Sequence, residues 1–282
     1  MLIENILRNV IRKTQSVFMG GSNNKIYFKT KNIDKVGEHE PPEVHDLTKL
    51  LKKKTELLDK LRENQNKMKN IPQCYTYYTK NKFKTNLVGN CDELSTYAFH
   101  YLIKNHSLQI FNYYRQQDPD RKKIIYIIMY GAQKPYDHVF LSIHYMEDKI
   151  SKKEIIEALS HVQAESWICD PWADIICKGK EFHYKWRSKM TDWYHANIFR
   201  TPNSDDRTIN DTGRYESLFS PLRPEVFNTI QENSTYDVLE LAFFDQDGNI
   251  TTLAKNEKIM PYDISNIDNS VFTSLGVLNM DE

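Results

Sequence analysis

Leu2, Ile3, Ile6, Leu7, Val10 and Ile11 recur at helical spacing, so the chain opens on a short amphipathic helix. Positions 14–46 are polar and broken by Gly20-Gly21-Ser22-Asn23-Asn24 and Pro41-Pro42, which predicts loop with one short strand at Lys25–Lys29. Leu47, Leu50, Leu51, Leu57, Leu58, Leu61 and Met68 return to helical spacing and predict a helix over 47–70, which Ile71-Pro72 is expected to end. The stripe Leu94, Tyr97, Ala98, Tyr101 and Leu102 predicts a second helix over 92–105, with Asn90 as N-cap and Glu93 placed as in a capping box.

The period then changes. RKKIIYIIMYG at 121–131 and HVFLSIHY at 138–145 have the β-branched and aromatic content of buried strands. Positions 151–161 look helical, and ESWICD at 165–170 reads as a third strand, stopped by Pro171. The pattern weakens over 178–220. A helix is predicted within 221–233, a strand at 236–245, and a hairpin turn at Asp247-Gly248-Asn249 leading into 250–253.

Composition narrows the function classes. The 282 residues hold 38 Lys plus Arg against 38 Asp plus Glu, and this zero net charge argues against a protein whose whole body is a nucleic-acid footprint. Seventeen Tyr, 13 Phe and 4 Trp argue against global disorder. The longest mostly apolar run, 124–132, is far below the ~20 residues that cross a bilayer, so no membrane span is expected. Glu4 and Arg8 interrupt the apolar pattern at the start, which does not fit a cleavable secretory signal. Charge is distributed unevenly: 47–70 carries eight basic residues against three acidic, and 236–282 nine acidic against two basic. The two regions are expected to contact each other or a regulatory protein partner, and to be accessory to any chemistry.

Four cysteines make no disulfide framework, so a free thiol is available for chemistry. Val88-Gly89-Asn90-Cys91-Asp92-Glu93 places Cys91 in the first turn of a helix, where unpaired N–H groups favour a thiolate and lower its pKa. The same groups can hold an oxyanion. A thiol nucleophile needs an imidazole base and an orienting carboxylate. His138 starts an apolar strand, and Asp170 ends the next strand, pinned by Pro171 and followed by Trp172. Cys91, His138 and Asp170 are the candidate site. His144 is placed beside the site or on the surface, and His100 and His106 on the helix surface. His161, Cys169, Cys177 and His183 are spaced by eight, eight and six, unlike the tight pairs of a zinc site, so no metal and no cofactor is expected.

GNCDELS at 89–95, DHVFLSI at 137–143 and ICDPWAD at 168–174 resemble the papain-like superfamily, and within it the transglutaminase-like branch. The resemblance covers about 80–185. It implies an α+β fold whose cysteine helix packs on an antiparallel sheet, here with added N-terminal helices. By position, Cys91 matches the nucleophile, His138 the base and Asp170 the orienter. Three segments follow: an N-terminal helical region over 1–75 packed on the core, a transglutaminase-like catalytic core over 76–200, and a C-terminal extension with a β-hairpin over 201–282 in the same globule. One departure stands out. Positions 85–90 lack the glutamine that papain-type proteases use as an oxyanion donor, which favours a transglutaminase-like site; the Cys91 backbone N–H is the expected donor, ahead of Asn86 or Gln73. Lys-, Asn- and Ile-rich composition suits an AT-rich bacterial genome, and the chain is similar to small deamidase and transglutaminase effectors that bacteria such as Legionella inject into host cells. That likeness implies acyl transfer on protein glutamine in the host cytoplasm, with water or a lysine amine as acceptor. A cysteine peptidase using the same triad and an inert interaction module are the competing classes. Trp167, Trp172, Trp186 and Trp193 either line an acyl channel or pack the core.

Overall fold

The computed structural model describes residues 2–27, 42–82, 86–118, 123–133, 136–147, 159–200, 220–245, 247–253 and 259–262. The fold is mixed α+β with antiparallel sheets and N-terminal helices. Helix α1 (Leu2–Val17) buries Ile3, Ile6, Leu7, Val10 and Ile11 as their spacing requires, while Leu2 faces solvent at 45 % exposure. The predicted helix over 47–70 is found as one helix that starts earlier and ends at Gln65, and a separate helix begins at Ile71. Helix α2 runs Pro42–Gln65 and α3 runs Ile71–Asn81. Pro72 starts α3 rather than ending α2, because a proline in the first turn forfeits an N–H that has no helical partner anyway. Asn70 caps it, its side-chain oxygen accepting from Gln73 N at 3.0 Å.

Helix α4 (Cys91–Arg115) starts where expected and runs ten residues past the predicted end. It packs on β2 (Lys123–Ala132) and β3 (Val139–Glu147). Glu93 is fully buried in its first turn, accepting from Asn90 N at 2.8 Å and from Arg62 of α2 at 2.7 Å. The sheet continues through β4 (Trp167–Asp170) and β5 (Ile175–Lys178) on one side, and β7 (Tyr236–Phe244), β8 (Ile250–Leu253) and β9 (Ile259–Pro261) on the other, in the order β5-β4-β3-β2-β7-β8-β9. Every pairing is antiparallel. The expectation that the region after 236 is accessory fails for β7, an interior strand hydrogen-bonded along β2.

Helix α5 (Phe182–His195) lies in the stretch where the pattern weakened. It buries Phe182, Trp186, Met190 and Trp193 at helical spacing, but exposed Tyr184 and Tyr194 on its other face blur the period. Strand β6 (Ile198–Arg200) follows and pairs with β1 (Lys25–Tyr27) in a separate two-stranded ribbon. Helix α6 (Pro224–Gln231) and the hairpin turn at 245–249 fall where predicted, with Gly248 at φ 87°. The predicted helix at 151–161 lies mostly outside the described residues. Among the described residues no helix is long and apolar enough to cross a membrane.

Candidate active site

Cys91 is the first residue of α4, and two contacts stitch that helix start to the start of β3. Ser95 Oγ donates to Val139 O at 3.1 Å, and the Cys91 sulfur accepts from the Val139 backbone N–H. His138 immediately precedes β3, so the stitching brings its imidazole to the helix terminus. Asp170 ends β4, the strand paired to β3. Its Oδ2 stands 2.6 Å from His138 Nε2, with both side chains buried. Oδ1 accepts from Trp172 N at 3.1 Å and Ala173 N at 2.8 Å. The turn after Pro171 thus spends its backbone donors on fixing the carboxylate. With Nε2–H donated to Asp170, Nδ1 is left as the basic nitrogen of the ring.

Cys91 and His138 line one small cavity of about 10 Å³, together with Asn24, Asp137, Trp172, Trp186, Arg200, Val226 and Thr229. That is room for about one water. The imidazole is boxed by aromatic rings, with centroids of Trp186 at 4.8 Å and Trp172 at 5.4 Å. Trp186 Nε1 is buried and has no hydrogen-bond partner among the described residues. A buried indole N–H left unspent is costly, and Trp186 is one of the residues that line the cavity. Of the four tryptophans, Trp172 and Trp186 line the site; Trp193 packs edge-on against Trp172, and Trp167 lies under Lys178.

The expectation of a lowered thiol pKa is overturned. Burial pushes the Cys91 thiol well above its ordinary range; the Asp137 and Asp92 carboxylates push the same way, and the Val139 N–H and Arg200 only partly oppose them. Desolvation outweighs the helix terminus because the thiol is 4 % exposed. Asp92 is itself raised to about 6 by burial, with Glu93 and Asp137 adding to it.

A polar network that sequence reasoning missed joins the two halves of the site. Gly20 N donates to Leu87 O at 2.9 Å and Gly89 N to Gly21 O at 3.1 Å, zipping the glycine turn against the segment before Cys91. The approach is close enough that a Cβ on Gly20 would lie 2.5 Å from Asn86 O. Beyond it, Ser22 Oγ reaches Asn90 Oδ1 and Asn24 Oδ1, both at 2.8 Å. Trp172 Nε1 donates to Ser22 Oγ and Asn24 Oδ1 at 3.0 Å. Lys25 Nζ donates to Trp172 O at 2.9 Å and sits 4.8 Å from the Trp193 ring. Burial lowers its pKa to about 8, against the pull of Asp170. Residues 22–25 thereby hold the cap of the cysteine helix and the turn of Asp170 at a fixed separation.

The remaining candidates fall elsewhere. Asn86 and Gln73 are exposed and do not line the cavity. His100 is buried, not on the helix surface, with Nδ1 at 2.9 Å from Tyr262 Oη, because β9 and Tyr262 cover that face of α4. His106 is half-buried beside Gln109. His144 is fully buried within the sheet at 3.0 Å from Tyr130 Oη, and burial lowers its pKa to about 4, so it is neutral at pH 7. Among the described residues no group of three His, Cys, Asp or Glu side chains is placed to hold a metal ion. Comparison of the chain with protein-family models, curated proteins and solved structures gives no match, so the site is read from its own geometry.

Proposed function

We propose that the protein is a thiol-dependent acyltransferase acting on protein glutamine, with a transglutaminase-like core built from α4 and the sheet. The observation that carries this reading is the buried His138–Asp170 pair behind a cavity that Cys91 also lines. In this scheme His138 Nδ1 takes the Cys91 proton as sulfur attacks the side-chain carbonyl carbon. The carbonyl oxygen, gaining charge, accepts from Trp186 Nε1–H, the unspent donor of the cavity. The tetrahedral intermediate collapses, the proton held by His138 leaves with ammonia, and a thioester remains. Water or a lysine amine then attacks the thioester, His138 takes the incoming proton and returns it to sulfur, and the product is glutamate or an isopeptide bond. Asp170 holds the ring in the required tautomer and stabilises the imidazolium throughout.

A raised thiol pKa fits a resting enzyme that holds a neutral thiol and deprotonates it only when substrate arrives. A cavity of about 10 Å³ does not admit a glutamine side chain, so in this scheme its lining, which includes Val226 and Thr229 of α6, moves aside in the working form. The test is intact-mass analysis of host-cell proteins after treatment with the wild-type protein or with Cys91→Ala. A Cys91-dependent gain of about 1 Da marks deamidation, and a loss of about 17 Da per new isopeptide bond marks cross-linking. New fragments would reassign the site to a peptidase. Identical spectra from the two proteins would leave an inert module.

A further inference from the structure

A second cavity lies apart from the candidate active site. It measures about 560 Å³ and lies at the β5 edge of the sheet, between α1 and α5. That volume is within the range of small-molecule sites, about 300–1,000 Å³. Ile11 and Ile175, both buried, supply apolar floor. The walls are charged. Arg8 and Arg12 stand one turn apart on α1; Lys185, Lys189 and Asp192 share one face of α5; and Asp174 enters from the turn before β5. Four cations therefore face two carboxylates.

The internal pairing leaves this charge largely unspent. Arg8 is tied to Glu4 at 2.6 Å on its own helix. Lys189 reaches Asp174 only at 3.6 Å, with the Asp174 side chain 60 % exposed, a geometry that contributes little. Arg12 and Lys185 have no ion pair among the described residues. Like charges gathered around one concavity repel, and a ligand with several negative charges relieves that repulsion at once. Guanidinium groups bind phosphoryl oxygens as paired donors, and ammonium groups bind them as point charges.

From this we propose that the cavity between α1, α5 and the start of β5 binds a small soluble anion carrying several phosphoryl groups. The site does not depend on the acyl-transfer reading. It does border the candidate active site: Asp174, at φ 58°, closes the turn that begins at Asp170, and Asp170 is register partner to Ile175. Drawing Lys189 from Asp174 onto a ligand acts on that turn.

Inorganic tripolyphosphate is the probe, titrated calorimetrically at about 0.15 M salt so that diffuse attraction is screened. Saturable one-to-one binding is expected, weakened at least tenfold in Arg12→Glu/Lys185→Glu. Both positions are exposed, and circular dichroism checks that the variant folds. Lys52→Glu/Lys53→Glu on α2 makes the same change in net charge away from the cavity and is expected to bind as the wild type does. Citrate, of similar charge without phosphoryl groups, is expected to bind more weakly. Absence of saturation, equal weakening in the α2 variant, or citrate binding as tightly as tripolyphosphate would each overturn the proposal.

Discussion

His138 Nε2 and Asp170 Oδ2 stand 2.6 Å apart, and the other oxygen of the carboxylate is held by two backbone N–H groups of the following turn. The carboxylate is thus fixed from behind before it meets the imidazole. It has no freedom to rotate away, and it sets which ring nitrogen is left as the base.

Asp170→Asn tests that control. The amide oxygen is expected to keep the bonds to Trp172 N and Ala173 N, which turns the amide NH2 toward Nε2. The imidazole then takes the opposite tautomer and presents Nδ1–H to the thiol, losing its base. Glutamine turnover, read as ammonia release, is expected to fall on the order of 10- to 10³-fold, less than the ~10⁴-fold of a serine enzyme, because a thiol depends less on the third member. Full turnover in a folded variant would remove Asp170 from the chemistry.

Trp186→Phe separates donor from packing, since it keeps most of the ring volume and deletes the only polar atom. Turnover is expected to fall about 10²- to 10³-fold, the usual effect of removing one oxyanion donor. Little change in substrate affinity should accompany it. A variant with normal turnover and weakened affinity would make Trp186 a packing residue.

Cys91 and Cys169 are equally deep but differently enclosed. Cys91 lines a cavity to which α6, an eight-residue helix, contributes Val226 and Thr229, whereas Cys169 lies within the paired strands β3, β4 and β5. Short segments with few buried contacts open below the global transition. In urea too dilute to unfold the protein, iodoacetamide is expected to label Cys91 before Cys169, and faster as pH rises because the thiol is held protonated. Simultaneous labelling would mean that the site opens only on global unfolding.

The buried thiols also set an alkaline limit. Burial raises Cys74 to about 11 and Cys177 to about 12, and lifts Cys91 and Cys169 as well. An unfolded chain releases these protons near the ordinary value of 9.0 while the folded chain keeps them, so stability falls as pH rises through that window. Lys25, lowered from 10.5 to about 8, works the other way over 8–10.5, as do Lys54 and Lys178, also lowered, but buried tyrosines such as Tyr130 and Tyr236, raised from 10.0, act with the thiols. The urea midpoint is expected to fall from pH 9 to 11, and less steeply in Cys74→Ala. A flat profile would show that the thiols ionise freely in the folded state.

Cys91, His138 and Asp170 were legible because each stands at a boundary that the local pattern marks: a capped helix start, the head of an apolar strand, and a strand stopped by proline. The strands of the sheet were legible for the same reason. Their order was not, since nothing in Tyr236–Phe244 says that β7 pairs with β2 rather than lying at an edge. Ser22, Asn24 and Lys25 sit in a polar stretch that reads as loop, and their partners are far away in sequence. Trp186 was visible as an aromatic, but that its N–H has no partner among the described residues is a property of three-dimensional packing alone.

The bonds from residues 22–25 to Trp172 span 147 to 150 positions. Contacts of such separation pay the largest loop-closure entropy and form late in folding. While the chain emerges, α4 can form and present Cys91 before the segment that carries Trp172 exists. The thiol therefore passes through synthesis uncovered, open to oxidants and to other thiols, and is sheltered only when sequence far downstream returns to the turn at Ser22.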